Sequence, residues 1–284
     1  MSKTIPLKVS DHSRDAAGLK YVYPVVSRRA GGVSVGINLN PNNKCNWRCI
    51  YCQVPDLGRG NAPKIDVVQL RAELGGFLRD LVEGDFMQKR VPEGSRKIAD
   101  IAISGNGEPT SARAFPEIVA AIGEAMAEFG LAGTTKFTLI TNGSLMGRDY
   151  VQRGVSLMGA LGGEVWFKFD RALAESRRFV NGTPLSNEKI AENLKISTSL
   201  CPTWIQTCMF ALDGEPPTRA ECDAYLRFLE SVLPEAPIQG VLLYGLARPS
   251  MQPEATRLAK LPAAWLEGFA SEIRKRKIAV KVSP

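Results

Sequence analysis

Short apolar runs alternate along this chain with longer segments that carry a helical period. Residues 33–40 (VSVGINLN) alternate apolar with small or polar side chains, which predicts a first strand. Leu70, Leu74, Phe77, Leu78 and Leu81 then fall on one face of a helix. The same exchange repeats. Strands are predicted at 98–104, 137–141, 164–170, 204–212 and 238–244, with a short terminal one at 278–282. Between them lie a helix with Phe115, Ile118, Val119, Ile122, Met126 and Phe129 inward, and further helices at 151–161, 187–199 and 262–277. Thr218 followed by Glu221 reads as a capping box opening a helix that buries Tyr225, Leu226, Leu229 and Val232. Residues 1–32 show no strong period, 84–96 are polar, and 171–185 read as a polar linker.

Alternating β and α units imply a parallel sheet. About six such units are too few for a complete eight-stranded barrel. The expected fold class is therefore α/β, with residues 1–32 as an N-terminal arm and 33–284 as one domain. No internal repeat or low-complexity segment interrupts it.

Composition narrows the class only modestly. The 284 residues are 44% hydrophobic and 23% charged, as in an ordinary globular protein. No apolar run approaches the roughly 18 residues of a membrane helix. Residues 1–20 are polar and mixed in charge, so no secretory signal and a cytoplasmic location are expected. The net charge of +7 allows an anionic substrate, nucleic acid included. The densest basic run, 274–277, sits at a predicted helix end, where cations suit the macrodipole. Arg28-Arg29 and Arg177-Arg178 are only pairs.

Six cysteines do not suggest a disulfide scaffold here, because Cys45, Cys49 and Cys52 stand together at C-x3-C-x2-C spacing. Three thiolates on one tight loop suit an iron–sulfur cluster or zinc. The remaining metal position is left for a distant residue or a ligand that is not protein. His12 is remote, and no second C-x2-C pair completes a zinc ribbon. The loop follows the first strand, at the end of the sheet where active sites of (β/α) barrels gather.

Other stretches at strand ends carry candidate chemistry. Gly105-Asn106-Gly107-Glu108-Pro109 offers two glycines for close backbone approach and a carboxylate as acceptor. An ordinary strand-to-helix turn would look the same. Asn142-Gly143-Ser144 reads equally as a tight turn or as a pair of hydroxyl-binding side chains. Lys168 and Asp170 share one side of an otherwise apolar strand and need polar company. Arg248 after the strand at 238–244 suits a carboxylate or phosphate, or simply a surface loop. Cys201, Cys208 and Cys222 are too widely spaced to suggest a second cluster.

The cysteine spacing, with Tyr51 just before the last cysteine, resembles the radical S-adenosylmethionine (radical SAM) enzymes. The resemblance covers roughly residues 33–282 and implies the partial (β/α)6 TIM-like barrel of that family. It implies that Cys45, Cys49 and Cys52 hold a [4Fe–4S] cluster whose fourth iron is chelated by S-adenosyl-L-methionine (SAM). Reductive cleavage would then yield a 5′-deoxyadenosyl radical that removes hydrogen from a substrate. It further implies Tyr51 near the adenine, and Gly105, Gly107 and Glu108 at the methionyl end. Asn142 and Ser144 would lie near the ribose, Lys168 and Asp170 beside SAM, and Arg248 at its edge. Asn106 departs from the family's paired glycines. The implied electron donor is flavodoxin- or ferredoxin-like. Ser27-Arg28-Arg29, Gly36-Ile37-Asn38 and the cysteine loop are similar to the wyosine-synthase-related branch, which turns attention to tRNA. A small molecule or peptide is as good a substrate expectation. The alternative of another class is a non-catalytic metal or iron–sulfur module binding nucleic acid through its positive charge.

Overall fold

The computed structural model describes residues 18–27 and 31–284. His12, the Arg28-Arg29 pair and most of the predicted arm lie outside the described residues. Eight strands form one sheet in the order of the chain: β1 Val22–Ser27, β2 Gly32–Ile37, β3 Ile98–Ile103, β4 Lys136–Thr141, β5 Glu164–Lys168, β6 Thr203–Cys208, β7 Gly240–Tyr244 and β8 Val280–Ser283. From β2 to β8 every neighbouring pair is parallel. The sheet keeps two free ends, β1 and β8, so it is an open, partial barrel.

Crossovers between parallel strands run through helices on the outer face: α1 Val67–Val82, α2 Phe115–Glu128, α3 Asp149–Ala160, α4 Ala174–Asn181, α5 Asn187–Leu200, α6 Arg219–Val232 and α7 Ala263–Arg274. The predicted inward faces of α1 and α2 are the buried ones. Leu70, Leu74 and Leu78 are sealed, each worth roughly 1.5–3 kcal/mol of burial. Ile101 and Ile103 of β3, Leu139 of β4 and Val165 and Phe167 of β5 point to this same helix layer. Their neighbours along each strand therefore point into the lumen. Thr218 and Glu221 make the expected reciprocal capping box on α6. Among the described residues no helix is long and apolar enough to cross a membrane.

Two segments differ from the sequence expectation. Residues 22–27 form β1, antiparallel to β2. Tyr23 lies over Gly36, where any Cβ would strike its ring, and its hydroxyl is 2.9 Å from Ser104 Oγ. Val22, Val25 and Val26 are spaced irregularly around Pro24, which hid the alternation. Within the supposed linker 171–185, residues Ala174–Asn181 form α4. Its polar sequence lacks an apolar period because it buries Arg177 and Asn181 through hydrogen bonds.

Candidate active site at the carboxyl end of the sheet

The loop that carries the cysteines leaves β2 through Asn38 and Asn40. Asn38 Oδ1 accepts from the Asn40 and Asn106 amides at 3.0 and 3.1 Å. Asn40 Nδ2 donates to the Lys44 carbonyl at 2.9 Å. Lys44–Cys45 then pairs with Gly58–Arg59, which closes the loop on itself. Trp47, Ile50 and Tyr51 are buried and anchor it, while all three cysteines remain half-buried. Three apolar anchors inside eight residues thus fix the segment that carries the three sulfurs.

Two further segments hold the loop from outside. On one side, the Arg48 and Ile50 amides donate to the Asn181 and Val180 carbonyls at 3.0 and 2.9 Å. Gly182 ends α4 with φ of 61°, and a Cβ there would lie 3.0 Å from the Arg48 carbonyl. On the other side, Ser250 Oγ donates to the Ile50 carbonyl at 2.7 Å and the Met251 amide to the Cys52 carbonyl at 2.9 Å. Gln252 Nε2 reaches the Val54 carbonyl at 2.9 Å, and Arg48 forks onto Glu254 at 2.8 and 2.9 Å. None of Asn181, Ser250, Gln252 and Glu254 was singled out from the sequence. Each acts through backbone carbonyls or a distant partner, and only the fold brings those together.

The three thiols feel one another electrostatically. Burial, then Glu108 and the neighbouring cysteines, pushes the Cys45 thiol up to about 12, against a hydrogen bond from the Trp47 amide. Burial also pushes Cys49 up to about 11, although Lys168 and an Asn181 hydrogen bond pull the other way. Among the described residues no three His, Cys, Asp or Glu side chains converge tightly enough to hold a single metal ion. A [4Fe–4S] cluster asks for less convergence, since each thiolate binds a different iron. The donor set fits such a group: three sulfurs on one anchored loop, with N–H donors at 3.4 Å from Cys45 Sγ and from Cys49 Sγ. Positive metal charge would offset the cost of ionising these buried thiols.

The glycine–glutamate turn after β3 packs under the cysteine loop. A Cβ on Gly107 would lie 2.0 Å from the Lys44 carbonyl, so only glycine permits this approach. Glu108 is 2% exposed. Its Oε1 accepts from the Thr110 amide, Thr110 Oγ1 and Thr141 Oγ1 at 3.1, 2.6 and 2.6 Å, and its Oε2 from the Asn142 amide at 2.7 Å. Burial raises its pKa while these donors oppose the rise. Glu108 thus ties the ends of β3 and β4 together. Asn142 and Ser144 turn toward the same loop: Asn142 Nδ2 donates to Asn46 Oδ1, and Asn46 Nδ2 to Ser144 Oγ, both at 2.8 Å.

Lys168 and Asp170 stand in a buried polar knot rather than a surface ion pair. Lys168 Nζ donates to the hydroxyls of Tyr51 and Tyr244 at 2.9 and 3.0 Å. The Tyr51 hydroxyl donates to Asp170 Oδ2, which also accepts from Asn181 Nδ2 at 2.6 Å. Asp170 Oδ1 accepts from the Cys208 amide at 2.8 Å. Burial alone would pull the Lys168 pKa down. Tyr244, Asp170 and Cys49 outweigh it and hold the ammonium well above its usual value. Burial and Asp170 raise the Tyr51 phenol likewise. Arg248 donates to Gln53 Oε1 at 3.1 Å, one residue past the last loop cysteine. Of the other cysteines, Cys208 is buried beside Asp170, Cys201 is buried against the Gly163 carbonyl, and Cys222 is half-buried on α6.

No family model matches the sequence, and no curated protein matches it. Solved structures resemble the fold. SuiB from Streptococcus suis, bound to S-adenosylmethionine, superposes with a TM-score of 0.54 at 12% identity, over 88% of this chain and 51% of its own. The anSMEcpe structure, with bound AdoMet and the Cp18Cys peptide, gives 0.53 at 14%, over 88% of this chain and 62% of its own. This chain thus spans about half to three-fifths of their length. The likeness is one of fold, covering the open, partial α/β barrel described above over 88% of this chain.

Proposed function

We propose that the chain is a radical SAM enzyme acting on a substrate that the barrel lumen receives. The observation that carries this reading is the cysteine loop. Its three half-buried cysteines sit together on one anchored loop at the carboxyl end of a partial barrel. When bound there, a [4Fe–4S] cluster with SAM supplies one-electron reductive cleavage of the sulfonium.

Cys45, Cys49 and Cys52 would hold the metal. Trp47 and Asn181 donate N–H groups toward two of the sulfurs and favour their anionic form. Tyr51, clamped by Lys168 and Asp170, fixes the loop against the floor of the site. Asn142 and Ser144, bonded to Asn46, and Arg248, bonded to Gln53, would flank a ligand of the loop. Gly105, Gly107 and Glu108 shape the site from beneath. Lys44 and Arg59 are exposed on the loop and give it positive charge, which suits an acidic flavodoxin- or ferredoxin-like donor.

The test is anaerobic reconstitution with iron and sulfide, followed by SAM and dithionite. Formation of 5′-deoxyadenosine above a Cys45→Ala control is expected. Equal traces from both proteins would reject the reading. The wyosine-related branch and a tRNA substrate draw support only from short sequence likenesses, partly at residues 28–29 outside the described structure.

A further inference from the structure

The lumen of the barrel is a cavity of about 1290 Å³, larger than the roughly 300–1,000 Å³ that one small ligand usually fills. None of the three loop cysteines lines it. Its floor is therefore a place apart from the loop, with chemistry of its own.

That floor is built from neighbouring inward positions on β3 to β6. Thr138 is the register partner of Glu164, and Trp166 of Trp204. Asp100 lies one strand over, paired in register with Lys136. Thr138 lines the cavity, is 1% exposed, and its Oγ1 has no hydrogen-bond partner among the described residues. Such an orphaned buried hydroxyl is costly in a native protein and asks for an explanation. Asp100 is 9% exposed, and Ser34 Oγ donates to one of its oxygens. Glu164 Oε1 accepts from Trp166 Nε1 at 2.8 Å. In all, the floor offers a hydroxyl and two carboxylates beside an indole, an arrangement that accepts more hydrogen bonds than the protein donates to it. Positive groups line the lumen beside them: Lys20, Lys136 and Lys281 are exposed there, with Lys136 in register with Asp100 and Lys281 Nζ 4.0 Å over the Trp204 ring.

We infer that this lumen binds an amphoteric small molecule. Its amino group donates N–H to Thr138, Asp100 and Glu164 beside the Trp166 indole, and its carboxylate or phosphate lies among Lys20, Lys136 and Lys281. Carboxylates only accept and ammonium groups only donate, so a ligand of either single sign leaves one set of these lining groups unmatched. That this molecule is the substrate rests on the radical SAM reading. Its binding does not.

The test uses the metal-free full-length chain, with calorimetry and tryptophan fluorescence. The probes are 6-aminohexanoate and guanosine 5′-monophosphate, with hexanoate and inorganic phosphate as controls. At least one amino-bearing probe is expected to bind about tenfold or more tightly than either control, and which one binds tells an amino-acid-like from a nucleotide-like ligand. Glu164→Gln should weaken that probe by about tenfold or more, and Thr138→Val, nearly isosteric, by several-fold with thermal unfolding unchanged or raised. The inference is overturned if neither amino-bearing probe binds, if a control binds as well, or if both variants bind like wild type. Binding without 5′-deoxyadenosine formation would sink only the radical SAM reading. The converse would sink only this one.

Discussion

Asn181 Nδ2 stands 3.4 Å from Cys49 Sγ and 2.6 Å from Asp170 Oδ2. One amide, with two hydrogens to give, thus joins a candidate metal ligand to the carboxylate that also holds Tyr51. A donor facing a thiolate stabilises the extra negative charge that reduction adds to a cluster. Asn181→Leu is therefore expected to shift the reduction midpoint of the reconstituted protein to a more negative potential. A spectroelectrochemical titration checks this. An unchanged midpoint at wild-type iron content would show that this amide does not address a ligand sulfur.

The Tyr51–Lys168–Asp170 knot sets an order of stabilities. Tyr51→Phe removes a hydroxyl that bonds both charges, but Lys168 keeps Tyr244 and Asp170 keeps Asn181 and the Cys208 amide, so a net loss of about 1.5–3 kcal/mol is expected. Lys168→Met does more harm, since it leaves the 1%-exposed Asp170 carboxylate without its counter-ion. Breaking such a buried pair costs about 3–5 kcal/mol. Urea unfolding of the two variants should rank Lys168→Met as clearly the less stable. The reverse order would mean that Asp170 is satisfied by Asn181 and the Cys208 amide alone.

How much of this was readable beforehand depended on the range of the forces involved. Helix faces such as Leu70–Leu74–Leu78 and the strand at β4 follow from local periodicity, and the parallel sheet from the alternation of units, while the partial barrel came with the resemblance that the cysteine loop carries. The cysteine triplet announced itself by spacing. By contrast, α4 carries no apolar stripe. Its role lies in the carbonyls of Val180 and Asn181 and in one amide, groups that every sequence possesses. β1 was hidden by Pro24 and by a register that only β2 supplies. The donors around Glu108 come from Thr110, Thr141 and Asn142, residues on two different strand ends that no local pattern joins.

Gly107 tests whether that turn is a packing device. A methyl group there would meet the Lys44 carbonyl at 2.0 Å, a backbone atom with no rotamer to escape into. Gly107→Ala should displace the cysteine loop, lowering iron incorporation several-fold while leaving the far side of the sheet intact. Overpacking of this kind typically costs about 1–3 kcal/mol. Iron and sulfide assays beside a thermal melt measure both effects. Normal iron content in a folded variant would show that the loop does not depend on this contact.

Asp100 links stability to pH. Burial raises its pKa above the ordinary 3.8, with Glu164 adding and Ser34 and Lys136 opposing. The folded chain therefore holds this proton more tightly than the unfolded chain does. The stability this contributes is fully present below the ordinary carboxylate value and is lost as pH rises through the raised one. Asn mimics the protonated form at every pH. Asp100→Asn is thus expected to melt higher than wild type at pH 7, with the gap narrowing toward pH 4. A melt series across that range checks the sign. A variant less stable at pH 7 would show that the Lys136 ammonium more than offsets the burial of the charge, and that the lumen floor carries no strain for a ligand to relieve.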